Sequence, residues 1–351
     1  MPNFSAEHIC LIRTSALGDT VHALALANGL KKGYPDARLT WILQPLSYDM
    51  VKHQPNIERF IIFERAGGIR AWTDLHRQLK KERFEIAVIP QVSFRTSFLS
   101  ALVRADIKVG FDFRRSRELS WLFTNRHIPP RTPGHVQDQF FEFLKYLGID
   151  PFPPEWNFTF TSEEMQWRDR FFSRIGRPVV SFVIASSDPG KDWLPARYAA
   201  VMDHVDRFLE CQPMLIGGPT RREADLARII TRNCNSKPVI ALEKPIRRTM
   251  LQLSGSALVV SPDTGPLHAA VALNVPTVGL YGYSDPRRCG PYRKFQDLLI
   301  DEYNDPENPG SPIRRKTRKG RMTRITPEAV IEKIELGLGR YGRGGGVVNS
   351  D

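Results

Sequence analysis

Short apolar runs alternate with longer helix-like segments along nearly the whole chain, and this alternation is the strongest constraint on its fold. Apolar runs occur at 8–13, 38–43 and 85–90 in the first half and, among others, at 213–216 and 276–281 in the second. Segments with helical spacing, mostly about 10 to 15 residues long, separate them. This pattern is typical of a parallel sheet covered by helices on both faces. It predicts an α/β protein.

The chain of 351 residues is long enough for two such domains. Prolines at 151, 153 and 154 indicate a linker. We therefore expect one Rossmann-like domain over residues 1–152 and a second over 153–340. The glycine-rich residues 341–351 are expected to form a disordered tail.

The loop after the first apolar run contains a carboxylate where a ligand is expected. Residues 14–20 (Thr-Ser-Ala-Leu-Gly-Asp-Thr) precede a predicted helix over 21–32. Asp19 can simply cap that helix. Alternatively, because ligands of parallel sheets bind at the carboxyl ends of the strands, Asp19 is a functional group. The residues alone leave both interpretations open.

A second strand, turn and helix are predicted around residues 261–268, which read Ser-Pro-Asp-Thr-Gly-Pro-Leu-His. Pro266 suits the start of a helix, and the free N–H groups of a helix start favour phosphate. Asp263 and His268 flank this position. The same residues can also be a plain helix cap and turn, with His268 as an ordinary polar residue.

Two further loops of the second half contain residues that suit a phosphate. One contains Ser186, Ser187 and Lys191, and the other contains Gly217-Gly218-Pro219 followed by Glu223. Hydroxyls and a lysine beside a helix start can hold a phosphate, although the sequence is not a Walker A motif. A polar surface loop is the alternative.

The net charge of +12 favours anionic partners, namely nucleotide phosphates, nucleic acid or an anionic membrane. Basic residues concentrate at 114–135 and at 314–324. The second run is most simply a mobile, solvated loop, and it is also able to contact anionic lipid. Its basic residues do not alternate with aromatics, and no helix-turn-helix or zinc finger is visible, which argues against nucleic acid.

Several classes of protein lose support from what the sequence lacks. It has no Asp-x-Asp, His-Glu-x-x-His or Gly-x-Ser-x-Gly motif and no Gly-x-Gly-x-x-Gly between a predicted strand and a helix, so metal catalysis and hydride transfer are disfavoured. It has no apolar run of about 18 residues and no signal-peptide pattern. We expect a cytoplasmic protein.

The chain resembles the ADP-heptose heptosyltransferases of lipopolysaccharide core assembly, glycosyltransferase family 9. The matching pieces run from residue 8 to about 338. They are residues 12–19, Ser186-Ser187 with Lys191 and 193–195, 217–219 with Glu223, and 263–268 with 281–282 and 285–286. The resemblance implies a GT-B fold, in which two Rossmann-like domains face a central cleft.

The resemblance also implies a role for each matching residue. Asp19 matches the general base that takes the proton of the acceptor hydroxyl. Lys191 matches the second catalytic residue, which stabilises the negative charge on the leaving diphosphate. Ser186, Ser187, Lys191, Thr264 and Gly265 match groups that hold the donor diphosphate. Glu223 matches a residue near the ribose, and Asp263 and His268 lie by the donor sugar or phosphates.

For the acceptor, residues 110–118 and 122–125 resemble the enzymes that add the first heptose to Kdo-lipid A. Arg114 and Arg117 would pair with Kdo carboxylates or lipid A phosphates, and Ser15 and His135 complete the implied acceptor site. The basic run at 314–324 departs from the family pattern, so a heptosylated lipid stays open as an alternative acceptor.

The resemblance thus implies an inverting transferase with no cofactor and no metal. Its partners would be ADP-heptose, a Kdo-lipid A or heptosylated lipid acceptor and, by peripheral contact, the cytoplasmic face of the inner membrane, with no nucleic acid. The alternatives are a relative that uses or only binds another nucleotide sugar, and a basic nucleic-acid-binding protein.

Overall fold

The computed structural model describes residues 5–92, 98–116, 120–307, 311–313 and 315–342. The chain divides into two compact units between Thr159 and Phe160. Each unit is built around one parallel sheet, so the predicted α/β class with two Rossmann-like domains is confirmed.

In the described part of the first unit, six parallel strands pair in the order β3-β2-β1-β4-β5-β6. The elements are β1 (His8–Ile12), α1 (Leu17–Gly33), β2 (Arg38–Leu43), α2 (Pro45–Val51), β3 (Arg59–Ile62), α3 (Gly68–Leu79), β4 (Phe84–Val88), α4 (Leu99–Leu102), β5 (Ala105–Gly110), β6 (Arg126–His127) and α5 (Val136–Tyr146). Residues 9–12 of β1 are all buried because helices cover both faces of a parallel sheet.

The second unit repeats this plan with the strand order β12-β11-β10-β7-β8-β9 among its described residues. Its elements are α6 (Ser162–Ser173), β7 (Val179–Val183), α7 (Pro195–Phe208), β8 (Gln212–Gly217), α8 (Arg221–Asn233), β9 (Val239–Leu242), α9 (Ile246–Ser254), β10 (Leu258–Pro262), α10 (Gly265–Ala272), β11 (Thr277–Tyr281), α11 (Pro286–Cys289), β12 (Leu299–Asp301) and α12 (Pro327–Tyr341). All residues of β7, β10 and β11 are buried.

The boundary between the two units lies later in the chain than predicted. The boundary lies at 159/160 rather than 152/153. The side-chain amide of Asn28 donates to the carbonyl oxygens of Glu155 and Trp156, each at 3.0 Å, and Trp156 is buried. These contacts attach the segment after the prolines to the first unit.

The predicted tail at 341–351 also begins too early. Tyr341 is the last residue of α12, and its hydroxyl donates to Asp297 Oδ1 at 2.9 Å. Residues 343–351 lie outside the described residues.

The prediction that the basic run is mobile is wrong for the part that the structure describes, because ion pairs and a backbone hydrogen bond hold it. Arg318 and Arg321 each pair with the carboxylate of Asp305 at 2.7 Å. The N–H of Arg318 donates to the carbonyl of Tyr283 at 2.9 Å. Gly282 lies so close that a Cβ there would be 2.6 Å from the backbone of Arg321. We call residues 315–324 the basic segment, and it is packed into the second unit.

Candidate active site

In the first unit, the loop after β1 holds the predicted base. Helix α1 begins at Leu17, four residues before the predicted start, and this places Asp19 in its first turn. A carboxylate there is favoured by the helix dipole. The Asp19 carboxylate accepts from the N–H of Ala16 at 3.4 Å and forms an ion pair with Arg13. About one third of the Asp19 side chain is exposed, so a ligand can reach it (32%).

Arg13, which the sequence analysis placed in a strand and gave no role, fixes the orientation of this carboxylate. Its Nη1 donates to the carbonyl of Pro90 at 2.7 Å, and its guanidinium lies 5.5 Å from the centre of the Phe140 ring. The signal was its position, because it directly follows β1 and lies at the ligand-binding edge of the sheet.

His135 lies beside the same helix as Asp19. Its Nδ1 accepts from the N–H of Gln137 at 3.1 Å and so caps α5. Its ring is 5.9 Å from the ring of His22, edge on. His22 lies three residues after Asp19 on α1 and is held by Gln137 Oε1 at 2.7 Å. Ser15 lies in the Asp19 loop itself and is partly buried.

Arg114, one of the two predicted acceptor arginines, is not joined to this cluster among the described residues. Arg114 is exposed, and no hydrogen bond or ion pair within the described residues joins it to Asp19. Arg117 lies outside the described residues. Their neighbour Arg115 has a structural role, since it pairs with Asp112 and with Glu142 Oε2 at 2.6 Å.

In the second unit, Asp263 is the centre of the candidate donor site. Lys191 Nζ donates to its Oδ2 at 2.8 Å and to its backbone oxygen at 3.1 Å. Ser284 donates to the same Oδ2 at 2.6 Å, and His268 Nε2 is 3.5 Å from Oδ1. Cys289 Sγ also lies 3.5 Å from Oδ2. The structure therefore brings Lys191 together with Asp263 and His268, which were predicted to lie in a different loop.

The carboxyl of Asp263 stays ionised in this environment. Burial alone would raise its pKa, but the His268 hydrogen bond and the charge of Lys191 outweigh burial and hold the pKa well below its ordinary value. Sequence analysis missed Ser284 and Cys289. Ser284 follows β11, the neighbour of β10 in the sheet, so its place at a strand end was the available signal.

The turn that carries Lys191 is held from two sides. Asp188 Oδ1 accepts from the N–H of Gly190 at 2.9 Å, and Asp188 Oδ2 accepts from the Tyr283 hydroxyl at 2.8 Å. These bonds, the one from Gly190 above all, lower the pKa of Asp188. A Cβ on Gly190 would lie 2.4 Å from the Tyr283 ring, so only glycine fits there.

The predicted serines differ in availability. Ser186 is buried, and its Oγ accepts from the N–H of Asp188 at 3.1 Å. Its backbone is held by Asp192 Oδ1 at 2.9 Å and by Arg222 Nη1 at 2.6 Å. Ser187 is exposed. The hydroxyl of Ser186 thus supports its own loop, whereas that of Ser187 faces solvent.

Glu223 closes the loop after β8. Its Oε1 accepts from the N–H of Gly218 at 2.7 Å, and its Oε2 accepts from the Thr220 hydroxyl at 2.5 Å. Both oxygens therefore have protein partners. Since β10, β7 and β8 are neighbours and parallel, the loops with Asp263, Lys191 and Glu223 lie along one edge of the sheet.

Thr264 and Gly265 form the start of α10. The Thr264 hydroxyl lies 3.1 Å from the hydroxyl of Ser261 and makes no bond to the first N–H groups of the helix. Because Pro266 has no N–H, the N–H groups of Gly265 and Leu267 are the ones left without a side-chain cap at this helix start.

Within the described residues, no three His, Cys, Asp or Glu side chains are grouped to hold a metal ion. No helix in this part of the chain has the length and apolarity needed to cross a membrane.

Comparison with known proteins gives one consistent result. Residues 72–310 match the family model "Glycosyltransferase family 9 (heptosyltransferase)". The chain is 32% identical to the lipopolysaccharide core heptosyltransferase OpsX of Haemophilus influenzae, over 96% of this chain and 100% of that protein.

Solved structures agree in fold. A glycosyltransferase family 9 protein from Veillonella parvula superimposes with a TM-score of 0.82 at 22% identity, covering 95% of this chain and 98% of the other. Escherichia coli heptosyltransferase WaaC with ADP gives 0.73 at 20% identity and 94% and 99% coverage. WaaC has also been solved with ADP-2-deoxy-2-fluoro heptose, which gives 0.71 at 20% identity, again over 94% and 99%. These likenesses confirm the GT-B fold.

Proposed function

Because the chain belongs to glycosyltransferase family 9, the heptosyltransferases, we propose that it transfers heptose from ADP-heptose to a Kdo or heptose hydroxyl of the lipopolysaccharide inner core. The proposed reaction inverts the anomeric centre and needs no metal ion. The observation that carries this proposal is the Lys191 ammonium held by Asp263 beside the open start of α10.

The second unit is proposed to bind the donor. A diphosphate placed between Lys191 and the N–H groups at Gly265 would receive a fixed cation and oriented dipoles. Ser187 and Thr264 add hydroxyl donors at the same edge. Preorganised groups of this kind stabilise the negative charge that develops on a leaving phosphate. WaaC has been solved with ADP and with ADP-2-deoxy-2-fluoro heptose, and these structures support this choice of donor.

Glu223, Ser186 and His268 are proposed to complete the donor site. Glu223 and Ser186 use their oxygens within their own loops. We therefore propose that Glu223 and Ser186 shape the ribose and phosphate sites of the donor, and that solvent-exposed atoms of the same loops contact the donor directly. His268 remains beside Asp263 and the donor phosphates.

The first unit is proposed to bind the acceptor and supply the base. Asp19 takes the proton of the acceptor hydroxyl while the oxygen of that hydroxyl forms a bond to the anomeric carbon of the heptose. The bond from that carbon to the β-phosphate oxygen breaks, and ADP leaves with the electron pair. Ser15 and His135 lie near this base, and Arg114, with Arg117, is proposed to pair with acceptor carboxylates or phosphates.

The lipid acceptor places the reaction at a membrane surface. We therefore propose a cytoplasmic protein in peripheral contact with the inner membrane, acting without nucleic acid. OpsX, whose name describes a lipopolysaccharide core heptosyltransferase, supports the acceptor class.

The test is ADP release from ADP-heptose, with and without Kdo-lipid A, in excess EDTA. Release that requires Kdo-lipid A and persists in EDTA is expected. Loss of ADP release in EDTA that only added Mg²⁺ restores would refute the metal-free mechanism. Release only with a heptosylated acceptor would move the acceptor assignment, and failure to bind ADP would overturn the donor site.

A further inference from the structure

A row of aromatic rings in the first unit leads from the buried Phe63 to the exposed Phe98. Phe63 packs edge-on against Trp72 with ring centres 5.0 Å apart, and Trp72 contacts Phe98 at 5.2 Å. Phe98 in turn contacts Phe123 at 5.6 Å. The four rings come from four separate places in the chain, so the row is a product of the tertiary fold.

Large apolar side chains along this row are exposed to solvent. The exposed fractions are 82% for Ile69, 70% for Phe113, 55% for Leu122 and 42% for Phe98. Phe113 contacts the Trp121 ring at 5.6 Å, and Trp121 lies in the same single turn as Leu122 and Phe123. Scattered apolar residues are normal on a protein surface, but a contiguous group indicates an interaction site.

Helix α3 shows how this surface arises. Leu79 and Leu75 are buried in the core, and Trp72 is packed against it at the spacing of one helix face. Ile69 continues the same stripe towards the start of the helix, where no core covers it. The apolar stripe is therefore longer than the core it serves.

Arginines border the exposed apolar residues. Arg65 and Arg70 flank Ile69, and Arg114 follows Phe113, and all three are exposed. No carboxylate of the described residues pairs with any of them, whereas Arg77 on the same helix pairs with Asp74 at 2.7 Å. Exposed aromatic and aliphatic side chains beside unpaired cations are complementary to the interface of an anionic bilayer.

We propose that this surface docks the protein on an anionic membrane. We call it the aromatic rim, and it comprises Ile69, Phe98, Phe113 and Leu122 with Arg65, Arg70 and Arg114. The apolar side chains enter the headgroup region, and the guanidinium groups contact lipid phosphates. This inference rests on the proposed function, which requires a lipid acceptor, and it assigns the contact to the first unit.

The alternative membrane contact is the basic segment of the second unit. It has exposed Lys316 and Lys319, but no large apolar side chain of its described residues is exposed. Charge alone gives weak, salt-sensitive attraction, whereas an inserted ring adds apolar burial that salt does not screen. The aromatic rim therefore has exposed apolar side chains that can insert into the bilayer interface, and the described part of the basic segment has none.

The experiment measures binding of the full chain to vesicles by flotation, without nucleotide sugar or acceptor. Vesicles of phosphatidylcholine with one quarter phosphatidylglycerol are compared with pure phosphatidylcholine. The test variant is Phe113→Ser with Leu122→Ser. The matched control is Phe208→Ser, since Phe208 is 62% exposed on the second unit. A second comparison uses two double variants. One combines Arg65→Gln and Arg70→Gln in the rim, and the other combines Lys316→Gln and Lys319→Gln in the basic segment.

We expect binding only to the anionic vesicles. The serine pair should weaken it at least about tenfold, from the burial of two apolar side chains. The rim arginine pair should weaken it about tenfold or more, since each cation near an anionic surface contributes roughly fivefold. Phe208→Ser and the lysine pair should bind as the unmodified chain does.

Three results would overturn the proposal: no binding by the unmodified chain, unchanged binding by the rim variants, or loss of binding in the lysine pair alone. Circular dichroism checks that each variant is folded. Transfer to a deacylated, water-soluble acceptor separates this proposal from the proposed function. Retained transfer with weakened vesicle binding in the Arg65→Gln, Arg70→Gln double variant supports the rim, whereas absent transfer by the unmodified chain refutes the function and leaves the binding result intact.

Discussion

Asp19 and Asp263 occupy similar places in the two units but have opposite surroundings. Each follows a strand and precedes or begins a helix. Asp19 has one cationic partner and a third of its side chain exposed, whereas Asp263 is buried and contacts Lys191, His268 and Ser284. A carboxylate whose pKa is held far down is a poor proton acceptor. The same sequence signal therefore yields a reachable carboxylate, the proposed base, in one unit and a buried, fully partnered carboxylate in the other.

The largest effect should come from removing the reachable carboxylate. We expect Asp19→Ala to lower heptosyl transfer about 10³-fold or more, because no group remains to take the acceptor proton. ADP affinity, measured by calorimetry, should stay within about twofold of the unmodified chain. Asp36→Ala, at an exposed site of the same unit, is the control. Comparable turnover in Asp19→Ala would remove the assigned base.

The next effect concerns the cation that Asp263 holds. Lys191→Met should lower transfer about 10²- to 10³-fold, since the leaving phosphate loses its fixed positive charge. Unlike the Asp19 variant, it should also weaken ADP binding. Lys237→Met, at an exposed lysine, should change neither quantity. If Lys191→Met bound ADP normally, the diphosphate would have to lie elsewhere.

A smaller effect is expected from the support of the Lys191 turn. Tyr283→Phe removes the hydrogen bond to Asp188, worth about 1 kcal/mol, and should lower kcat about fivefold. Tyr341→Phe removes a comparable bond to Asp297 outside the site and should leave kcat unchanged. Thermal unfolding shows whether both variants lose similar stability. Equal kcat values in the two variants would show that Tyr283 has no special positioning role.

The smallest effect concerns the basic segment. Hydrogen bonds from Arg321 and Arg318 lower the pKa of Asp305 from 3.8 to about 2. A lowered folded-state pKa stabilises the protein above the ordinary pKa, and this stabilisation is lost as the pH falls towards 2.

Asp305→Asn should therefore lower the melting temperature slightly at pH 7, and the difference should vanish near pH 2. Trypsin should also cleave the variant faster within the basic segment at neutral pH. Asp225→Asn, which breaks a surface pair within α8, should not alter this cleavage. Unchanged cleavage in Asp305→Asn would show that the ion pairs do not hold the segment.

Most strands and helices could be predicted because their signals are local. The run 38–43 coincides with β2, and the run 276–281 contains the whole of β11. Errors arose where a contact distant in sequence decides the outcome. Helix α1 begins four residues early, at a turn where Asp19 meets Arg13. The basic segment was predicted to be mobile because its partners Asp305 and Tyr283 are separated from it in the sequence.

The sequence by itself determined the class of fold, the strand ends that carry polar residues, and the family. Hydrophobic periodicity and helix-start residues act over a few positions, so they can be read along the chain. Only the tertiary structure decided which of those residues meet. Lys191 reaches Asp263 across 72 positions and Tyr283 reaches Asp188 across 95. Such pairs depend on strand order, because neighbouring parallel strands bring their loops to one edge whatever their separation in the chain.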